Sequence, residues 1–337
     1  MTQLQPAEIT GIVTEVSRLT TELYVFPEVA ERIAGGLGEA LARGRYHRAG
    51  DAETLGRLVT EDLQAVNGDG HLRLKFHPRA IPAEKEDGAL LAELTRAADL
   101  SLGGVPRIER LEGGVALLKL APILFPLDMT GASLDAALTL VAPAEALILD
   151  LRECVGGHPY TTAHICGHLF DEPTHLNTLY DREEDSEQQF WSPALPPGPR
   201  FGGSKPLYVL IGRATFSGGE ELAYNLQQRG RAVVIGETSG GGANPRRGFT
   251  VHPHLEATIP TARAINPVSG GNWEGTGVVP DTETDPAVAH EVAHRAALVE
   301  VARLGGDTPS ASASVEEARR VLDGPTEDRS PSPEGRL

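Results

Sequence analysis

The chain has 337 residues, a formal net charge of −17, and 40% hydrophobic and 23% charged side chains. Those values fit an ordinary soluble globular protein of one large or two moderate domains, and the acidic balance argues against nucleic acid or an anionic membrane surface as partner. Cys154 and Cys166 are the only cysteines, which excludes a disulfide framework and a zinc-finger spacing. The first residues hold neither a basic n-region nor an apolar h-region, and no apolar run is long enough for a membrane helix, so the expected location is a reduced cytoplasm.

The first 67 residues predict three short helices. Ile9, Ile12, Val13, Val16, Leu19 and Leu23 share one helical face, and Pro27 opens a second helix with Val29, Ile33, Leu37 and Leu41 inward. Asp51 can cap a third, whose stripe is Leu55, Leu58, Val59, Leu63 and Val66. Asn67–Gly70 ends it, and His71–Phe76 alternates like a strand. Residues 78–106 read as a linker with an amphipathic piece at 88–100, followed by a hairpin through Gly113-Gly114.

From there strand and helix alternate, the pattern of an α/β core with parallel pairing. Helices are expected at 133–140 and 161–170, a buried strand at 146–152, and a polar excursion containing a hairpin at 171–205. After the Ser217 unit come strands at 232–236, 249–252 and 255–260 and a closing helix at 286–304. The expected division is a helical bundle over 1–70, strand and linker over 71–106, a catalytic core over 107–304, and a disordered tail over 305–337 with one short helix around 314–322.

Leu207–Ile211 is an unbroken apolar run, and Glu220 begins a helix with Leu222, Ala223 and Leu226 on one face. Ser217 lies where strand becomes helix, ahead of Gly218-Gly219. That position can lift a nucleophilic hydroxyl beside the free N–H groups of a helix start. Ser217-Gly-Gly-Glu220 equally fits a capping box, in which the serine only ties down the helix, and the stretch alone leaves the two readings level.

Taken singly, His71 reads as a strand-edge histidine, Glu274 as a solvated carboxylate, and Asp150 with Arg152 as a structural ion pair at a strand end. His290-Glu291-Val-Ala-His294 matches the zincin pattern on a helix, yet only a Glu/Ser/Pro-rich tail follows it to supply a third ligand. His164 and His168 are likewise one turn apart, near Cys166, a spacing that alone signals packing or surface. Gly240–Gly242 is no P-loop, since no Gly-Lys-Ser/Thr follows.

Five stretches in order, Gly68-Asp-Gly-His71-Leu-Arg-Leu, Leu149–Gly157, Thr215–Glu221, Val234–Gly242 and Asn272–Asp281, together resemble the tail-specific (C-terminal processing) serine peptidase family, in the branch of tricorn protease and the interphotoreceptor retinoid-binding repeats. The likeness covers about residues 9–304. It implies an N-terminal three-helix bundle followed by a Clp protease/crotonase-like α/β core, and a peptidase working through an acyl-enzyme on a peptide or unfolded-protein substrate. It further implies Ser217 as nucleophile, His71 as general base, Glu274 as orienting carboxylate, and an oxyanion hole from Gly218 with Gly156 or Gly157. The family's Ser/Lys branch places lysine near Gly242; the lysines here are Lys75, Lys85, Lys119 and Lys205, so the histidine version is expected. No cofactor or metal is called for, and homo-oligomerisation is left open. Many members carry a PDZ domain between bundle and core, for which residues 78–106 are too few. The rival readings are an apolar-ligand carrier of the same fold and, more distantly, a zinc peptidase using His290, Glu291 and His294.

Overall fold

A computed structural model describes residues 4–82 and 87–324. The chain opens with α1 (Pro6–Leu23), α2 (Pro27–Ala42) and α3 (Ala52–Gln64). Proline stands at the first turn of α1 and α2, and Asp51 caps α3 by accepting from the Thr54 N–H at 2.8 Å. The apolar stripes read from the sequence face one another: Ile9, Val13, Val16, Ile33, Leu37, Leu55, Val59 and Leu63 are all buried. The bundle is not closed on itself. Its core continues into Leu72 and then into Leu74, Leu255, Ala257 and Ile259 of a three-stranded antiparallel sheet, in which β1 (Arg73–Phe76) is an edge strand.

Among the described residues, one helix, α4 (Asp87–Leu100), occupies the stretch before the hairpin β2 (Arg107–Leu111) and β3 (Val115–Lys119). Then follow α5 (Leu127–Val141), β4 (Ala146–Asp150), α6 (Pro159–Leu169), β5 (His175–Asp181), β6 (Ser186–Trp191), β7 (Leu207–Ile211), α7 (Gly218–Gln228) and β8 (Val233–Gly236). Next are β9 (Arg246–His252), β10 (Leu255–Pro260), β11 (Ala262–Ile265), β12 (Thr282–Glu283), α8 (Ala289–Arg303) and α9 (Pro309–Asp323).

The main sheet runs β12-β8-β7-β4-β3-β2, parallel except for the β2–β3 hairpin. Its central strands β4 and β7 are buried throughout, which is why they read as continuous apolar runs. One face packs Leu134, Leu138, Ile165, Leu222 and Leu226 from α5, α6 and α7. The other meets α8, whose Ala289, Ala293 and Ala297 let the helix lie close. The 171–205 excursion does contain a hairpin, β5 with β6, to which β11 adds a third strand.

Within the expected tail, residues 309–323 form α9, a longer helix that contains the 314–322 stretch expected to be helical, and its Val315 and Ala318 are buried against the core beside α8. Thr308 caps it by accepting from the Ala311 N–H at 3.1 Å, Pro309 opens it, and Glu317 accepts from the Gly113 N–H at 2.9 Å. The remainder of that expected tail, 325–337, lies outside the described residues. No described helix is long and apolar enough to cross a membrane.

Candidate active site

β4, β7 and β8 are adjacent parallel strands, so the loops leaving their C-terminal ends gather at one edge of the sheet. Those loops carry Gly156-Gly157, Ser217 and Gly240–Gly242 respectively. Buried Thr215 locks the middle one: its Oγ1 donates to the Leu151 carbonyl at 2.9 Å and accepts from the Gly212 N–H at 3.0 Å. Phe216 N–H donates to the Cys154 carbonyl at 3.0 Å, drawing the serine loop onto the glycine turn.

Ser217 precedes α7 with φ 49° and ψ −118°. A capping residue ordinarily sits in the β region, as Asp51 (φ −151°) and Thr308 (φ −130°) do in this chain. Ser217 and Glu220 stand in the capping-box arrangement, but the glutamate makes the firm bond, accepting from the Ser217 N–H at 2.8 Å. Buried Glu220 also accepts from the Gly241 and Gly242 N–H groups at 2.6 and 2.9 Å and from Ser239 Oγ at 2.5 Å. It thereby fixes the serine elbow to the glycine-rich loop, and burial raises its carboxyl above the usual range against those donors.

The turn Gly156-Gly157 lies directly against this elbow. A Cβ on Gly218 would stand 2.7 Å from Gly157 N, and one on Gly156 would stand 3.6 Å from Ser217 Cβ. Gly157 is pinned from behind by Leu124, whose N–H donates to the Gly156 carbonyl at 2.9 Å and whose carbonyl accepts from the His158 N–H at 2.8 Å. Gly218 N–H, first in its helix, has no intrahelical acceptor. The Gly156-Gly157 turn thus packs directly against the start of α7, next to Ser217.

His71 and Glu274 arrive from outside the main sheet. His71 is held by its own main chain: its N–H donates to Asp69 Oδ1 at 3.0 Å and its carbonyl accepts from Thr258 Oγ1 at 2.6 Å. Its ring packs on Phe216, the neighbour of Ser217, at 4.7 Å between centroids. Nδ1 is buried without a hydrogen-bond partner. Burial, then the Arg246 and Arg73 charges, push the imidazole down to about 4, so it is neutral at physiological pH.

Glu274 accepts from three main-chain donors: Gly70 N–H at 3.2 Å, Ala243 N–H at 2.7 Å and Asn244 N–H at 2.9 Å. Donor atoms of Glu274, His71 and Asp69 all lie within 4.8 Å of one another. Sequence reasoning passed over Asp69. Fully buried, it accepts from the His71 and Leu72 N–H groups through Oδ1, and from Tyr24 OH at 2.8 Å and Asn244 Nδ2 at 3.3 Å through Oδ2. An Asx turn in Asn67-Gly-Asp-Gly was the available signal. Burial and the Asp69 charge hold the Glu274 carboxyl well above its ordinary range.

Asp150 and Arg152 form the structural pair expected, with Nη2 to Oδ2 at 2.8 Å and Arg152 also donating to the Pro286 carbonyl. The zincin-like pair is occupied otherwise: His294 Nε2 contacts the Glu112 carbonyl oxygen at 3.0 Å, and among the described residues no third metal donor gathers with it.

Comparison with known proteins places these features in a wider set. Residues 115–284 match the family model described as peptidase family S41, and residues 5–98 match one described as the N-terminal domain of that family in eukaryotic IRBP. Among solved structures, mature CPAF complexed with lactacystin superposes with a TM-score of 0.61 at 12% identity, covering 87% of this chain and 98% of that one. A peptidase structure from Parabacteroides merdae gives 0.56 at 18% identity, over 84% and 90%. The tricorn protease gives 0.54 at 13% identity, over 94% of this chain and 37% of its own. At such identities the likeness is one of fold.

Proposed function

The chain belongs to peptidase family S41, and on that premise we propose that it hydrolyses peptide bonds as a serine-type enzyme with Ser217 as nucleophile, His71 as general base and Glu274 as the carboxylate behind the imidazole. The observation that carries this reading is the backbone of Ser217. A residue that only capped α7 would have no use for φ 49°, a conformation costing about 1–3 kcal/mol for a side chain other than glycine. The strained turn instead presents the hydroxyl at the mouth of a helix, as nucleophilic serines require.

In this scheme neutral His71 takes the Ser217 proton as Oγ attacks the substrate carbonyl. The oxygen anion so formed rests on the N–H groups of Gly157 and Gly218, which adjoin one another at the elbow. The imidazolium then gives its proton to the departing amine, and water, deprotonated by the same ring, releases the acyl group. Nδ1 of His71, buried and unpaired in the free protein, gains a partner when ring and carboxylate close the remaining gap.

A fluorophosphonate probe tests this. Wild-type protein should label at one site and cleave unfolded protein, Ser217→Ala should do neither, and His71→Ala should slow both by about 10²–10⁴-fold. Glu274→Gln should label more slowly than wild type. Labelling that survives Ser217→Ala refutes the assignment. Wild-type protein that neither labels nor cleaves would refute the hydrolase reading and leave the apolar-ligand carrier.

A further inference from the structure

A second group of donor side chains lies between α5 and α6, away from the serine elbow. Asp135 of α5 and His164 and His168 of α6 place one ligand atom each within 4.8 Å of the others. Asp135 Oδ1 is 2.6 Å from His164 Nε2 and 4.0 Å from His168 Nε2. The two rings stand one helical turn apart, 5.4 Å between centroids and inclined at 65°.

His168 is the informative member. Its side chain is 1% exposed. Nδ1 lies 3.3 Å from the Pro199 carbonyl, which can only accept, so this nitrogen carries the proton. Nε2 is therefore a bare lone pair, and it is buried without a hydrogen-bond partner. Buried acceptors are seldom left so. An Nδ1–H anchored on a backbone carbonyl, with Nε2 turned toward a carboxylate and a second imidazole, is how proteins orient a metal-ligating histidine.

We propose that Asp135, His164 and His168 bind a divalent transition metal of the Zn²⁺ class. Bonds of about 2.0–2.1 Å in tetrahedral geometry set donors roughly 3.3 Å apart. The observed separations of 2.6 and 4.0 Å bracket that value, so small side-chain rotations suffice. Two imidazole nitrogens and one carboxylate oxygen suit Zn²⁺ or Co²⁺ and not the all-oxygen preferences of Mg²⁺ and Ca²⁺. The side chains of Asp135 and His164 keep 29% and 13% exposure, which leaves a way in and room for a water ligand. Arg200, the neighbouring cation, is turned to the Asp171 and Ala194 carbonyls. The ion would pin α5 to α6, whose first residue, Pro159, follows the Gly156-Gly157 turn by two positions.

The test is titration of the full chain with Co²⁺ and then Zn²⁺. One equivalent of Co²⁺ should give the visible d–d absorption of a four-coordinate ion, displaced by Zn²⁺, and Zn²⁺ should raise Tm by an amount that grows with the logarithm of free metal over Kd. Because His168→Ala opens a cavity and can fail to fold, the partly exposed Asp135→Asn and His164→Gln carry the comparison. Each should weaken Co²⁺ binding by about tenfold or more and reduce the Tm rise at a given Zn²⁺ concentration, with circular dichroism unchanged. No Co²⁺ band at millimolar metal overturns the proposal. So does equal binding in both variants, which would put the ion at another pair such as His290 and His294.

Discussion

Gly242→Ala is the sharpest probe of how the proposed base, His71, is held. Gly242 has no left-handed backbone angle, so alanine costs nothing there conformationally, but its Cβ would stand 2.2 Å from Phe216 Cζ, 2.4 Å from Phe216 Cε2 and 2.8 Å from His71 Cε1. Non-bonded carbons rest at about 3.5–4.0 Å, so the phenyl ring must retreat by about 1.3 Å and the imidazole by about 0.7 Å. The loop cannot yield instead, because Glu220 holds its Gly241 and Gly242 N–H groups and Trp273 Nε1 donates to the Gly242 carbonyl at 3.0 Å. Overpacking of this kind costs about 1–3 kcal/mol, which for a chain of this size lowers Tm by roughly 1–4 °C. The catalytic loss is larger, since a misplacement near 1 Å removes on the order of 10²-fold in rate. The assay pairs fluorophosphonate labelling rate with calorimetric Tm, and adds the double variant Gly242→Ala/Phe216→Val, which gives the methyl its space. Recovery of labelling in the double variant beyond additivity is expected. Labelling of Gly242→Ala within about threefold of wild type would refute the placement of His71 against Phe216 and the loop.

Two further outcomes follow from buried ionisable groups. His71, pushed down to about 4, accepts a proton at any higher pH, so kcat/KM should stay level in this group from pH 8 to 5 and fall near pH 4; an acid limb at about 6.5 would show an imidazole open to solvent. The same depression means that stability contributed by the neutral ring is lost as pH falls from about 6.5 toward 4, because the unfolded chain takes the proton first. Glu221, enclosed with only a 3.4 Å contact from Asn177 Nδ2, is pushed up to about 7 by burial. A raised carboxyl stabilises below its unfolded value and loses that contribution as pH climbs through 7, so Glu221→Gln should be more stable than wild type at pH 8, by roughly 2–3 kcal/mol, and little different at pH 4. A Tm difference that does not vary with pH would contradict this.

What could be read from the chain depended on how local its cause was. The Ser217 unit was legible because a buried strand, a glycine turn and a helix each leave their own periodicity, and Asp51 showed itself as a cap in the same way. The sign of φ at Ser217 was not legible, since it is imposed by Thr215, Phe216 and Glu220 binding partners in other loops. His71 and Glu274 came from family likeness alone, for no periodicity links residues about 200 positions apart, as the Gly70–Glu274 hydrogen bond does. Asp69 was hidden for a similar reason: one oxygen closes a local turn, while the other reaches Tyr24 and Asn244. The core of α9 was legible at 314–322, but its Thr308 cap and Pro309 start, and the burial of Val315 and Ala318 beside α8, were masked by the Ser- and Glu-rich composition around it.

β1 pairs with β10 and β10 with β9, so the bundle and the late hairpin β9–β10 share one apolar interior. The imidazole therefore rides on a module stitched together from the amino-terminal segment and the β9–β10 hairpin, whereas the hydroxyl rides on the main sheet, most of whose strands lie between them in sequence. Cutting away the amino-terminal helices would not trim an accessory; it would strip the apolar lining from the hairpin and from the strand that follows His71. Under the proposed mechanism, seating of one module on the other becomes a condition of turnover, and whatever loosens that seam would silence the serine without touching it.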